Sequence, residues 1–345
     1  MIDPALDTLF MPFAAGELAW PEAGDILFLQ ARMGAALRAV PKHRLVCRQG
    51  FLPFAQGLSV AGFSLNTDAA TPAGPYPMIL ALPPRQRDEA RFVLADAMAH
   101  AAPGGVVVAS VGNNEGARSI EADLASLAGH VTSLSKNKCR VFWARIEKNR
   151  IDQTLLAEWL ALGLPRRIGD ARFLSRPGLF AWDRIDAGSA LLAANLPSDL
   201  AGHGADLGCG FGYLSAEILA RCPKVTALDL YEAERDGLML AERNIVPLAG
   251  QVKLDFLWHD VTTGLRRVYD FIVSNPPFHV LKADRADLGQ GFIAAGAKAL
   301  RPGGRMLLVA NQHLPYEATL EALFARHTVL AGADGYKIIE AVTKS

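Results

Sequence analysis

The chain has 345 residues, enough for about two domains at the usual one to two hundred residues each. A hydrophobic fraction of 51% with 20% charged residues excludes a disordered, collagen-like or coiled-coil chain. The formal net charge of +0, from 35 Lys+Arg against 35 Asp+Glu, excludes a protein that holds nucleic acid chiefly through a strongly basic whole-molecule field and leaves only a local basic face open.

The chain opens with MIDPALDTLF, which carries two Asp and no Lys or Arg, so it lacks the basic start of a signal or transit peptide. No apolar run approaches the roughly 20 residues of a membrane span. Cys47, Cys139, Cys209 and Cys222 lie far apart without a C-x-x-C pair, so neither a zinc ribbon nor a disulfide framework is readable. The expectation is a cytoplasmic monomer with no membrane and no metal.

A strand at about Asp25–Leu29 runs into Gln30-Ala-Arg-Met-Gly. It is followed, from Ala81 to Asn114, by an apolar strand, Pro-Pro, a charged connection, an amphipathic helix, Pro-Gly-Gly and a strand ending at Asn. The same series recurs from Ser274 to Gln312. Such self-similarity predicts two copies of one domain. The helices rest on the spacing of Phe92, Val93 and Ala97, and of Phe292, Ile293, Ala297 and Leu300, with the Gly pairs expected as C-caps. The continuous runs Val106–Val108 and Met306–Val309 predict strands buried on both faces, as in a parallel α/β sheet. The alternating strand KCRVFWARIE, a helix around Ile151–Leu162 and Gly163-Leu-Pro place the boundary between domains 1–163 and 164–345.

Charge is uneven along the chain. Between Lys136 and Arg176 stand ten basic residues and four acidic ones. Such a stretch is ordinarily a solvated face, but with Phe142, Trp143 and Phe173 interleaved it could face phosphates. Lys136, Lys138, Arg166, Arg167 and Arg172 are its candidate RNA contacts.

The second copy carries the chemistry. Asp206-Leu-Gly-Cys-Gly-Phe-Gly212 joins a strand to a helix at Tyr213–Leu219, and closely spaced glycines let backbone approach a ligand. The pattern is G-x-G-x-G rather than G-x-G-x-x-G, and Asp206 two residues before Gly208 would repel a pyrophosphate yet accept from an α-ammonium. An amino-acid-bearing nucleoside is implied. Asp229, read as the end of the strand KVTALDL, would take a ribose diol. Asp260 after LDFLW would accept from an adenine amino group, and His259 reads as a packing residue. Ser274-Asn275-Pro276-Pro277-Phe278-His279 follows the strand Tyr269–Val273 at the sheet edge where such folds place ligands. The Asn275 amide oxygen and Pro276 carbonyl could accept both hydrogens of a planar amine, with Phe278 as a stacking face.

These residues in this order resemble the class I S-adenosylmethionine-dependent methyltransferases with an Asn-Pro-Pro-aromatic signature. With Gly178-Leu-Phe-Ala-Trp-Asp-Arg-Ile-Asp-Ala-Gly-Ser-Ala-Leu-Leu192 and V-A-N-Q-H-L-P-Y316, residues 170–345 resemble the small-subunit ribosomal RNA guanine-N2 methyltransferase C family and its large-subunit relative. The first half is similar more weakly, through PP-x-x-x-x-E-A and K-N-K-C-R-V-F-W-A-R-I-E-K. The resemblance implies two tandem Rossmann-like α/β methyltransferase domains, the N-terminal one degenerate; that copy is expected to serve RNA positioning and support of the active domain. It implies S-adenosylmethionine beside Asp206, Gly208, Cys209 and Gly210, its ribose on Asp229, its adenine by Asp260, and the target guanine on Asn275, Pro276, Pro277 and Phe278, with Asn275 also bordering the cofactor. Segment 180–189 is expected to close over the cofactor. Ribosomal RNA, 16S before 23S, or a ribosomal subunit would be the partner. Adenine-N6 or protein glutamine methylation fits the same turn, and a non-catalytic RNA-binding assembly factor is the reading of another class.

Overall fold

The computed structural model describes residues 3–67, 74–277, 279–280, 283–284 and 286–344. The chain divides into two compact units, Met1–Pro165 with Arg176–Gly178, and Arg166–Ser175 with Leu179–Ser345. Residues 164–165 and 176–178, expected in the second domain, fall in the first unit.

In the first unit, helices α1 (Pro4–Leu9) and α2 (Met11–Ala14) precede strands β1 (Ile26–Leu29) and β2 (Leu45–Arg48), helix α3 (Leu52–Val60) and strands β3 (Ser64–Asn66) and β4 (Tyr76–Ala81). Then come α4 (Arg87–His100), β5 (Ala101–Gly112), α5 (Ala117–Ala128), β6 (Thr132–Lys136), β7 (Cys139–Arg145) and α6 (Gln153–Ala161). The sheet order is β3-β2-β1-β4-β5-β7-β6. Strands β1 to β5 pair in parallel and β6 and β7 antiparallel, so Ile26 and Phe28 feed one buried layer and Leu27 and Leu29 the other.

The second unit opens on the hairpin β8 (Arg166–Ile168) and β9 (Phe173–Ser175), then α7 (Ala187–Ala194), β10 (Ala201–Leu207), α8 (Tyr213–Arg221), β11 (Lys224–Glu232), α9 (Arg235–Ile245), β12 (Lys253–Trp258) and β13 (Tyr269–Ser274). It continues with the pair β14 (His279–Val280) and β15 (Ala283–Asp284), α10 (Ala286–Ala299), β16 (Leu300–Asn311), α11 (Glu317–Leu323), β17 (Arg326–Ala333) and β18 (Tyr336–Val342). Its sheet order, β12-β11-β10-β13-β16-β18-β17, is that of the first unit element for element. The order reverses between β10 and β13, and open α/β sheets bind ligands outside the carboxyl ends of strands at such a point.

Two expectations require correction. The Pro-Gly-Gly sequences are not helix caps: α4 ends at His100 with an extended Ala101, and Gly104 and Gly303, at φ 75° and 73°, sit inside β5 and β16. The register of the neighbouring strand shifts there, so the glycines form a bulge. Nor do the aromatics of the basic stretch face phosphates, since Phe142, Trp143 and Phe173 are all buried. Alternation along β7 and β9 turns them into the cores.

Candidate functional site

Register brings the second unit's motifs together. Leu207, the last residue of β10, lies opposite Ser274 on β13 and Tyr231 on β11. Gly208, Asn275 and Glu232 are the next residues along the three strands, so all emerge at one carboxyl edge. Ser274, fully buried, donates from Oγ to the Leu207 carbonyl at 2.8 Å and ties the two strand ends.

The turn after β10 needs glycine. Gly208, Gly210 and Gly212 adopt φ of 73°, 55° and 95°, in the left-handed region that penalises any side chain. Gly208 and Cys209 donate backbone N–H groups to the Tyr231 carbonyl at 2.9 and 3.0 Å, and Gly210 N donates to Glu232 Oε2 at 2.8 Å. A Cβ on Gly210 would meet no atom within 4 Å, so the turn borders open space. Gly212 then caps α8. Cys209 is buried, and burial pushes its thiol pKa up, which removes it as a nucleophile.

Asp206 is fully buried as the penultimate residue of β10. Its Oδ2 accepts from Ser215 Oγ at 2.6 Å, while Oδ1 has no partner among the described residues. Burial, opposed by the Ser215 hydrogen bond and reinforced by the Glu232 carboxylate, pushes its pKa up to about 7 from 3.8. An orphaned buried acceptor beside an open glycine turn fits a ligand that brings a cationic donor. In the ligand-free chain, between pH 3.8 and about 7, folded Asp206 keeps a proton that the unfolded chain releases. Its contribution to stability is therefore full below the unfolded pKa and lost as pH rises through about 7. Asp206→Asn is expected to remove about 3 kcal/mol of the stability lost between pH 5 and 8, at about 1.36 kcal/mol per pKa unit. Urea titrations of both chains at the two pH values check it; equal losses would refute a neutral Asp206.

Asp229 lies elsewhere than expected. The strand runs on to Glu232, which leaves Asp229 inside β11 with its side chain 3% exposed. It accepts from Tyr269 OH at 2.7 Å and Arg267 at 2.7 Å and pairs with His203 Nε2 at 2.9 Å, and Tyr269 OH in turn meets Tyr231 OH at 2.6 Å. Buried three residues short of the strand's carboxyl end and engaged through both oxygens within the unit, it is not placed to meet a diol at that edge. The acid at the strand end is Glu232. Its Oε1 accepts from Glu234 N at 2.9 Å and its Oε2 from Gly210 N, and each oxygen keeps a second lone-pair site. Burial pushes its carboxyl up, against the backbone hydrogen bonds that hold it down. The signal for Glu232 is present in the sequence: KVTALDLYE has no breaker before Glu232.

Asp260 follows β12 and caps the turn Val261–Thr263, its Oδ1 accepting from Thr262 N at 2.9 Å and Thr262 Oγ1 at 2.7 Å. His259 bonds the Gly264 carbonyl at 2.6 Å and packs edge-on to Tyr231, a structural role.

Asn275 is half-buried one residue past β13, followed by buried Pro276 and exposed Pro277. Its Nδ2 donates to Asp186 Oδ2 at 3.0 Å and Ser189 Oγ at 2.7 Å. Segment 180–189 thus reaches the Asn-Pro-Pro turn, through partners that motif reading alone did not assign. Phe278 lies outside the described residues.

The same register in the first unit places Leu29 opposite Ala81 and Arg48. Where the second unit has Asp206, Gly208, Glu232 and Asn275, the first therefore has Phe28, Gln30, Gln49 and Leu82. Gln30 holds the strained turn at φ 55°, and buried Gln49 satisfies itself on Ala31 O and Phe51 N, both at 2.8 Å.

The basic candidates are dispersed. Exposed Lys136 and Lys138 flank the β6–β7 hairpin of the first unit. In the second unit, Arg166 lies over Trp182 at 4.8 Å, and exposed Arg167 bonds the Ala171 carbonyl at 2.8 Å. Arg172, its side chain 56% exposed, bonds Glu217 at 3.0 Å and lies over Phe173 at 5.2 Å. Among the described residues no group of three or more His, Cys, Asp or Glu could hold a metal ion, and no helix is long and apolar enough to cross a membrane.

Residues 170–340 match the family described as Methyltransferase small domain. The ribosomal RNA small subunit methyltransferase C of Salmonella enteritidis is 32% identical over 260 residues, 75% of this chain and 73% of that protein. The chain belongs to the ribosomal RNA small subunit methyltransferase C family. Its member from Sodalis glossinidius is 32% identical over 326 residues, 93% of this chain and 89% of that protein. Among solved structures, a T. thermophilus 16S rRNA N2 methyltransferase in complex with AdoMet and guanosine superposes with a TM-score of 0.79. At 23% identity it covers 99% of this chain and 92% of that one, so the two share a fold over almost the full length of this chain.

Proposed function

We propose that the chain transfers a methyl group from S-adenosylmethionine to the exocyclic N2 amine of a guanine in 16S rRNA. The observation that carries this reading is the half-buried Asn275, anchored through its nitrogen and set beside the Gly208–Gly212 turn. Family membership and the AdoMet and guanosine held by the T. thermophilus protein support it.

S-adenosylmethionine, when bound, supplies an electrophilic methyl on a sulfonium. Asp206 would accept from its α-ammonium, Gly208, Cys209 and Gly210 would line the methionine portion, and Glu232, in place of Asp229, would take the ribose diol. Asp260 borders the adenine. Asn275 Oδ1 and the Pro276 carbonyl accept the two amine hydrogens, Pro277 stiffens the turn, and both acceptors gain strength as positive charge builds on the attacking nitrogen. The amine proton becomes acidic only as the new bond forms and leaves to water, so no strong base is required. A guanine reached in folded RNA must be splayed out of its stack.

The test is labelled methyl transfer to 16S and 23S rRNA, isolated subunits and whole ribosomes, followed by nucleoside mass spectrometry. N2-methylguanosine in 16S rRNA is expected. Label in N6-methyladenosine or protein glutamine would sink the reading, and no transfer at all would favour the assembly-factor alternative.

The first unit, with Phe28, Gln30, Gln49 and Leu82 at the key positions, serves RNA positioning, and the molecule works as a cytoplasmic monomer. Calorimetry is expected to give one cofactor per chain; two equivalents would contradict the division of labour. Reversing Arg166 and Arg167 to Glu should weaken RNA binding and lower the slope of log K against log salt by about 2, at about 0.9 for each phosphate no longer neutralised. An unchanged slope would mark these arginines as a solvated face.

A further inference from the structure

We propose that Asp186 and Ser189 are positioning residues that hold the Asn275 carboxamide with Oδ1, rather than Nδ2, toward the incoming amine. The inference rests on the methyl transfer proposed above and names what sets the polarity of that grip.

Asp186 is the N-cap of α7, and its Oδ2 accepts from Ser189 N at 2.8 Å and from Asn275 Nδ2 at 3.0 Å. Ser189 Oγ accepts from the same Nδ2 at 2.7 Å. A carboxylate only accepts, so the end of the amide that faces Asp186 must be the NH₂ end. Both amide hydrogens have acceptors, and the planar group leaves Oδ1 pointing the opposite way. An asparagine free to rotate would also present its own N–H groups to the amine, and two donors facing each other repel. The bond to a carboxylate further polarises the amide and enriches Oδ1 in electron density, the atom on which positive charge would be felt in the transition state.

The clamp is held by packing as well as by the cap. Gly188, between the two residues, lies so close to β18 that a Cβ there would sit 2.9 Å from Tyr336 Cε1. Ser189 is 8% exposed. The helix start therefore cannot draw back from Asn275 without unpacking α7. Capping alone does not account for the arrangement: it needs one acceptor, and serine serves that purpose as well as aspartate.

Asp186→Ser separates the two roles, since it keeps a cap but is one bond too short for Asn275. With the full-length chain and 16S rRNA, kcat is expected to fall about 30-fold while the cofactor Kd changes less than about 3-fold. Asp186→Asn, which keeps an acceptor without its charge, should fall less. In an Asn275→Ala background, single-turnover rates should show no further loss from Asp186→Ser, because the clamp then holds nothing. Equal losses in both backgrounds, or a full rate for Asp186→Ser, overturn the proposal. Should Asp186→Ser fail to fold, Ser189→Ala leaves the backbone cap bond intact and enters the same cycle, with the same outcomes deciding. A wild-type chain that methylates no guanine would overturn the transfer reading itself and this inference with it, whereas wild-type transfer with uncoupled variants overturns only the clamp.

Discussion

Asn275→Ala is expected to lower kcat about 1000-fold, the scale seen when one preorganised polar partner of developing charge is removed. The cofactor Kd should stay within about 3-fold, because the groups proposed to hold the cofactor, Asp206, the glycine turn, Glu232 and Asp260, belong to β10, β11 and the turns after β10 and β12, and Asn275 only borders it. The expected split follows from timing. Before methyl transfer the amine nitrogen is neutral, and its hydrogen bonds to Asn275 Oδ1 and the Pro276 carbonyl would be ordinary. As the bond forms, the nitrogen becomes ammonium-like and those bonds become charge-assisted, so their loss falls on the rate rather than on ground-state binding. Rapid-quench transfer beside calorimetric cofactor binding measures both. A variant at full rate, or one that loses rate only through cofactor affinity, would refute the role of Asn275.

Asp229→Ala is expected to destabilise the chain by about 3 kcal/mol, the range for breaking a buried polar network. Its side chain is 3% exposed and unites Tyr269 and His203 with Arg267, a side chain 45% exposed. Without the carboxylate the buried Tyr269 hydroxyl keeps only Tyr231, whereas Arg267 can turn to water and to Asp255. Most of the cost therefore comes from Tyr269 and His203. Glu232→Ala should do the reverse, with a smaller loss of stability, since the partly exposed Gly210 and Glu234 N–H groups it leaves can turn to water, and about 10-fold weaker cofactor binding, the scale of a single charge-assisted hydrogen bond. Chemical denaturation and calorimetry on the two variants discriminate them. A stable Asp229→Ala chain that has lost its cofactor would restore Asp229 to the ribose.

The contrast between these two acids shows where sequence reading stops. Periodicity locates β11, and the resemblance calls for an acid at its end, but which of Asp229 and Glu232 stands there depends on how far the strand extends. That is settled by pairing with β10 and β12, since Tyr231 is held opposite Leu207 and Leu257 and the ladder carries the strand on to Glu232. The pairing of Arg172 escapes sequence reading for a related reason. Its partner Glu217 lies 45 residues on, and a count of charges along the chain cannot see it.

By itself the sequence determined the duplication, the α/β class, the glycine turn, the Asn-Pro-Pro motif and the inequality of the two halves. These are local properties: glycine spacing, proline stiffness and apolar period act within a few residues of one another. Only the tertiary structure decided that Glu232 rather than Asp229 meets the carboxyl edge, that Phe142, Trp143 and Phe173 turn inward, and that Asp186 and Ser189 grip Asn275 across 89 and 86 residues of chain. Strand register and the seating of α7 on Tyr336 set those distant partnerships, and both are products of packing between elements far apart in sequence, which no local pattern encodes.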